Sequence, residues 1–312
     1  MSPLMIGVLF TLSSILSLFV NKYVLSVLKF TFPTIFQGCS KPYCLVSLLV
    51  LVCILRRQNI IIKIKRCFNL HYLSEVIFFV CSIYAGSKAL SKLPVPVFLG
   101  LQNLSLVAVT ILKLFLLEEK PRNQTILSQM VLLTACAFIW YNEQSVLSPI
   151  SYFWVVIHLV SSGFCAVFEY VNEEDTLDHE GIVIVNNLFG FLSLAPCTFF
   201  FGDLQAVQTY PHLYFSKFYV GVIFSGVFSA FTSALYLKLI NNDLKSVTSE
   251  SNITGYTALS RMLAAVVSPV LFDRTSVVTL IWCVVACLAV PAIQIGESKE
   301  AVSADSRNNH LV

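Results

Sequence analysis

Charge is what this sequence has least of. Only 12% of its 312 residues are Asp, Glu, Lys or Arg, while 57% are hydrophobic; a soluble domain carries about 25% charged residues. That deficit excludes a soluble enzyme, which needs a hydrated, charged surface. Hydrophilic stretches are short: the longest are residues 56–70, the acidic turn Asn172-Glu173-Glu174-Asp175 and the tail after Gly296, so no separate catalytic domain fits. A basic patch interleaved with aromatics is missing, and 20 Lys plus Arg against 17 Asp plus Glu leave a net charge of only +3. Nucleic acid is therefore not an expected partner. His71, His158, His179 and His212 are scattered without the spacing of a metal or nucleophile motif. The chain reads as a non-enzyme with no cofactor and no metal. Ten cysteines are present, but Cys39, Cys44, Cys53, Cys81, Cys136, Cys165, Cys197, Cys283 and Cys287 fall inside apolar stretches. There a free thiol acts as a small hydrophobe, so no disulfide framework is expected. Residues 1–20 have neither a basic n-region nor a small-residue cleavage site, and read as a first membrane helix rather than a signal peptide.

What the sequence does have is apolar length. Mean hydropathy is +0.80, and apolar runs of about 20 residues, the length that spans a bilayer, recur between short polar punctuation. They predict ten membrane helices, near 4–22, 33–55, 71–90, 95–117, 124–141, 150–170, 181–201, 215–240, 247–272 and 276–296. With a cytosolic amino terminus, one side of the membrane collects Arg56, Arg57, Lys63, Lys65, Arg66, Lys120, Arg122, Lys238 and Lys245. The other collects chiefly Lys22, Lys29, Lys88, Lys92, Lys217 and Arg274, so the positive-inside rule puts both termini in the cytosol. The expected fold class is an all-α membrane protein whose ten helices form a 5+5 inverted repeat, because an odd number of spans per half inverts the second half. One transporter-like domain over 1–296, with halves of about 1–145 and 146–296, would be followed by a disordered cytosolic tail, 297–312. A faint echo agrees: the fourth span runs from Lys92 to Glu118-Glu119-Lys120, and the ninth from Lys245 to Asp273-Arg274.

Lys41, Lys113, Glu169 and Arg261 lie inside predicted spans, where an ionisable group costs about 2.5–3.5 kcal/mol at a helix centre and so needs a partner or a cavity. Snorkelling or a structural ion pair accounts for the first three as readily as function does. Arg261 differs because its helix is polar over several turns. Ser249, Asn252, Tyr256 and Ser260 line one face, and Glu250, Thr254, Thr257 and Arg261 make an adjacent stripe. So wide a polar arc cannot face lipid; it lines a cavity or a polar helix interface. Gln37, Gln102-Asn103 and Asn186-Asn187 add amides, which both donate and accept as a nucleobase edge requires. In a 5+5 repeat the second and seventh spans are mates, as are the fourth and ninth, so these sites converge near the midplane. The sequons at Asn103, Asn123 and Asn252 lie in spans or on the cytosolic side and are not expected to carry glycan.

Asn21-Lys22-Tyr23-Val24-Leu25, with Phe30, Phe32-Pro33 and Gln37, resembles the first-helix signature of nucleotide-sugar transporters in the drug/metabolite transporter superfamily. Ser87-Lys88-Ala89-Leu90 with Leu93, Val95-Pro96-Val97-Phe98 and Gln102-Asn103-Leu104 is similar to the third-to-fourth helix junction of the GDP-mannose-transporter-like branch. In that branch a paired-Asn motif in the seventh helix reads the base, and a G-A-L-N-K motif in the ninth reads sugar and phosphates. Here Val185-Asn186-Asn187 keeps the pair with Val in place of Tyr, and Thr257-Ala258-Leu259-Ser260-Arg261 keeps only the terminal cation and the Ala-Leu step.

The resemblance implies a multi-pass Golgi membrane antiporter that exchanges a cytosolic nucleotide sugar for a luminal nucleoside monophosphate. UDP-N-acetylglucosamine is the first candidate substrate and GDP-mannose the second, with monomer and homodimer both open. It further implies that Arg261 neutralises the diphosphate, that Asn186 and Asn187 bond the base, and that Tyr256, Thr257 and Ser260 meet ribose or sugar. Gln102 and Asn103 would complete the cavity, with Asn252 and Lys22 as further contacts. A non-transporting membrane scaffold or regulator that keeps the fold is the alternative.

Overall fold

The computed structural model describes residues 3–30, 32–55, 70–144, 148–175, 179–200, 202–211, 215–243, 250–272 and 275–308. Among these residues the chain is helical between short turns, with no strand. An apolar run in a bilayer has no water to satisfy its peptide groups and must close its own hydrogen bonds as helix. The elements are α1 (Pro3–Lys22), which runs on through a π-helical turn at Tyr23–Val27, α2 (Pro33–Leu55), α3 (Leu70–Lys92), α4 (Val95–Gln102), α5 (Ser105–Leu116), α6 (Asn123–Glu143), α7 (Pro149–Asp175), α8 (His179–Phe200), α9 (Asp203–Val207), α10 (Ser216–Asp243), α11 (Glu250–Leu271) and α12 (Val277–Asn308). Prolines begin α1, α2 and α7, where a missing N–H is harmless.

Six described helical stretches are long and apolar enough to cross a membrane: Leu4–Val27, Leu73–Lys92, Val95–Leu116, Asn123–Glu143, Pro149–Val171 and Ser216–Ile240. The third of these is a single span in the sequence reading, but the structure breaks it at Asn103-Leu104 into α4 and α5. The backbone there tightens to i→i−3 bonds, Leu104 N to Leu101 O at 3.0 Å and Leu106 N to Asn103 O at 3.1 Å. Neither Gly nor Pro stands at 103–104. α12 continues through 297–308, the segment the sequence reading assigns to a disordered tail; Glu297-Ser298-Lys299-Glu300-Ala301 carries no helix breaker. Arg56, Arg57, Lys63, Lys65, Arg66, Lys245 and Arg274 lie outside the described residues.

Side-chain contacts give the helix directions. α1 and α11 run parallel, Gly7 meeting Tyr256 near their starts and Phe19 meeting Phe272 near their ends. The α4–α5 stretch runs parallel to α7, through Phe98–His158, Ala108–Gly163 and Glu119–Tyr170. α1 and α10 are antiparallel, with Ser225 donating to Asn21 and Thr232 to Ser13. α3 and α7 are antiparallel too, joined by Ser82 to Ser162 and by stacked Phe78, Phe164 and Phe168. α6 and α12 close the bundle: Thr279 donates to Glu143 at 2.7 Å, and Phe138 stacks on Trp282.

The main core gathers around Phe30, Phe36, Leu93, Phe98, Ile139 and Ala265. Small residues let backbones approach there: a Cβ on Gly100 would stand 2.7 Å from Ile139 Cδ1 and 3.2 Å from Cys283 Sγ. At the end of α1, Tyr210 donates to the Leu28 carbonyl and packs on Phe30. Burial pushes this phenol above its ordinary pKa, so it stays a donor.

Candidate functional site

The break between α4 and α5 sets up the site. Asn103 sits in it, fully buried, and faces two helices at once. Its Oδ1 accepts from Arg261 Nη1 of α11 at 2.5 Å, and its Nδ2 donates to Cys287 Sγ of α12 at 3.6 Å. Among the described residues, half-buried Arg261 is thus aimed by an amide rather than neutralised by a carboxylate. A guanidinium has five N–H donors in a rigid fork, and Asn103 accepts one.

A cavity of about 180 Å³ lies beside it, lined by Phe10, Ser14, Ile15 and Leu18 of α1, Leu99 of α4, and Thr257, Ser260, Arg261 and Ala264 of α11. Thr257 Oγ1 donates to Ile253 O at 3.0 Å and Ser260 Oγ to Thr257 O at 2.8 Å. Both hydroxyls satisfy their hydrogens within the helix and keep lone pairs to offer. Tyr256 packs its ring directly onto Gly7, toward the starts of the two parallel helices. Phe19 and Phe272, ring centroids 5.5 Å apart, pack edge to face at the other end. Aromatic contacts therefore bracket the cavity along α1 and α11, and its volume is below the roughly 300–1,000 Å³ of a site that encloses a drug-sized ligand.

The Asn pair makes a second polar cluster, on α8. Asn186 Nδ2 donates to Glu75 Oε1 of α3 at 2.8 Å, and Asn186 Oδ1 is buried with no hydrogen-bond partner among the described residues. Asn187 Oδ1 accepts from Lys41 Nζ of α2 at 2.9 Å and from Cys44 Sγ at 3.6 Å, while its Nδ2 bonds Val183 O. The Lys41 ammonium also lies 5.0 Å from the Phe79 ring centroid. Neither Asn186 nor Asn187 lines the cavity beside Arg261.

The remaining expected residues divide. Lys22 is 1% exposed, and its ammonium donates to the carbonyls of Leu90 at 3.1 Å and Leu93 at 2.7 Å, closing the carboxyl end of α3. Gln102 ends α4, half-buried. The side chain of Asn252 lies outside the described residues. Gln37 donates to Ser87 Oγ at 3.1 Å. Lys113 pairs with Glu119 at 4.0 Å and lies over Tyr170, whose hydroxyl also donates to Glu119. Sequence reasoning passed over Glu75, which is fully buried, and His158, which is 7% exposed. An ionisable residue inside a predicted span is the signal that could have found both.

No family model matches the chain. A Xenopus laevis protein named UDP-N-acetylglucosamine transporter TMEM241 homolog is 33% identical over 291 residues, covering 90% of this chain and 92% of that protein. The Mus musculus UDP-N-acetylglucosamine transporter TMEM241 is 30% identical over 279 residues, covering 89% and 91%. A Chaetomium globosum GDP-mannose transporter is 22% identical over 289 residues, covering 85% of this chain and 71% of its own. One solved crystal structure superposes with a TM-score of 0.53 over 94% of this chain and 98% of the other, at 10% identity, a likeness of fold alone. With about a third of its residues shared over nine-tenths of both chains, this multi-pass helical membrane protein belongs to the nucleotide-sugar transporter family.

Proposed function

We propose that this chain is a Golgi-membrane antiporter that brings a cytosolic nucleotide sugar into the lumen and returns the nucleoside monophosphate. UDP-N-acetylglucosamine is the favoured substrate, in line with the two relatives that carry its name, and GDP-mannose is second. The observation that carries this reading is Arg261, a permanent cation held by Asn103 at a helix break beside a cavity with two hydroxyls. A guanidinium fork suits diphosphate oxygens even when partly desolvated. Thr257, Ser260 and Tyr256 would meet ribose or sugar. Asn186 and Asn187 would bond the base, the Asn186 Oδ1, without a hydrogen-bond partner among the described residues, offering an acceptor.

Alternating access follows from ten spans in two inverted halves, both termini cytosolic. The packing supports this division. Advancing each span by five turns the parallel pair of first and ninth spans into the parallel pair of sixth and fourth, and the antiparallel first and eighth into the sixth and third. The hydroxyl pair Thr232–Ser13 then has its counterpart in Ser82–Ser162, about 150 residues away on each helix. The same rotation maps the α2–α8 and α4–α11 pairs onto themselves, and these hold Lys41–Asn187 and Asn103–Arg261. Exchange rather than uniport follows because an unbalanced Arg261 in a closed cavity keeps a desolvation penalty that either nucleotide relieves.

The test is uptake by purified protein in liposomes preloaded with UMP or GMP and offered labelled UDP- and GDP-sugars. UDP-N-acetylglucosamine uptake that requires internal UMP is expected. No uptake of any nucleotide sugar by folded protein would overturn the reading in favour of a non-transporting scaffold.

A further inference from the structure

We infer that Ser14 of α1 is a sugar-contacting residue, whose Oγ accepts a hydrogen bond from an O–H or amide N–H of the sugar moiety; this rests on the transport reading above. Val8, Leu12 and Leu16 form an exposed stripe along α1, and two residues turn an α-helix by about 200°. Phe10, Ser14 and Leu18, each two residues further on, therefore point the opposite way, and all three line the cavity beside Arg261. Half-buried Ser14 is the polar side chain that α1 brings to this wall. Thr257, Ser260 and Arg261 line the same cavity from α11.

Ser14 Oγ donates to the Phe10 carbonyl at 2.8 Å, just as Thr257 and Ser260 donate to carbonyls of their own helix. All three hydroxyls have used their hydrogens, so among the described lining side chains only the guanidinium donates, while lone pairs stand on both walls. Phosphate oxygens match the guanidinium but bring no hydrogen for Ser14. Sugar hydroxyls and an acetamido N–H do. The remaining lining, Phe10, Ile15, Leu18, Leu99 and Ala264, is hydrocarbon, which suits the C–H faces of a pyranose and an acetyl methyl. Covalent order selects the sugar over the nucleoside, because the diphosphate stands between them. With the base at Asn186 and Asn187, which are held against α3 and α2 and do not line this cavity, and the diphosphate on Arg261, the group left for the α1 wall is the sugar. A volume of about 180 Å³ is also too small for a whole nucleotide sugar.

UMP carries the base, ribose and phosphate but no sugar, so it separates the two halves of the ligand. In UMP-loaded liposomes taking up labelled UDP-N-acetylglucosamine, Ser14→Ala should raise KM roughly fivefold, the loss of one neutral hydrogen bond. Inhibition of that uptake by external UMP should keep its constant within about twofold. Ser14→Thr, which retains the hydroxyl, should recover most of the affinity. An unchanged KM in Ser14→Ala, or equal weakening of UMP and UDP-N-acetylglucosamine, overturns the inference while leaving transport intact. No uptake by the unsubstituted protein overturns both readings together. A readout that needs no transport comes from Ser14→Cys labelled with a methanethiosulfonate reagent and followed at that peptide by mass spectrometry. The thiol should react, and UDP-N-acetylglucosamine should slow the reaction where UMP does not. A thiol that fails to react, or one that UMP protects equally, overturns the inference even where Ser14→Ala misfolds.

Discussion

Arg261 on α11 and Asn103 in the break between α4 and α5 are hydrogen-bonded across 158 residues of sequence. The amide holds the cation without cancelling its charge. It also ties two helices that, in the proposed repeat, are mates on the pseudo-symmetry axis, so the bond stands where both halves meet.

Arg261→Ala should abolish nucleotide-sugar uptake while leaving the protein folded. Arg261→Lys should recover less than about a tenth of the rate, since a point ammonium cannot hold Asn103 and fork onto phosphate together. Asn103→Ala should act more mildly, because it frees the guanidinium rather than removing it. Uptake rates in liposomes check all three, and full activity in Arg261→Ala would sink the assignment.

Lys22→Met should lower stability rather than substrate affinity. Its ammonium serves the Leu90 and Leu93 carbonyls in a fully packed setting, and leaving buried acceptors bare costs about 1–3 kcal/mol. Thermal unfolding in detergent reads this directly. An unchanged melting temperature with a raised KM would instead make Lys22 a ligand contact.

Gly7→Ala should destabilise α1 against α11. A Cβ there would fall 2.1 Å from Tyr256 Cζ, within the ring, so Tyr256 must leave. Overpacking of this kind costs about 1–3 kcal/mol. Adding Tyr256→Ala should recover most of the loss, and a double-mutant cycle on melting temperature measures that coupling.

At the α2–α8 contact, Lys41→Met alone should be worse than Lys41→Met with Asn187→Leu. The single change strips Asn187 Oδ1 of its charged donor and leaves only the Cys44 thiol. A lost bond to a charged group is worth about 1.5–3 kcal/mol, whereas removing both partners leaves an apolar contact. Melting temperatures of the single and double variants decide it.

Much of the candidate site was legible as residue types. Arg261 stood out as a cation on a doubly polar helix, and Asn186-Asn187 as an adjacent amide pair. Their partners were not legible. Asn186 meets Glu75 across 111 positions and Asn187 meets Lys41 across 146, and hydropathy within one segment carries no information about another segment's register. The break at Asn103 was missed for a related reason: no Gly or Pro marks it, and the groups around it, Arg261 and Cys287, come from α11 and α12. Lys22 misled in the opposite sense. It lies in a signature shared with transporters, yet its ammonium is taken up by backbone carbonyls of a neighbouring helix end.

By itself the sequence determined the helical class and the membrane setting, because each apolar run must satisfy its own peptide groups as helix whatever its neighbours do. The relatedness to nucleotide-sugar transporters belongs to the sequence as well, being carried by residues along nearly the whole chain. Only the tertiary structure decided which polar groups meet: Arg261 with Asn103, Asn187 with Lys41, His158 with Ser82. Those pairings depend on where helices cross and how each is rotated about its axis, which packing of side chains against one another sets and no single segment encodes.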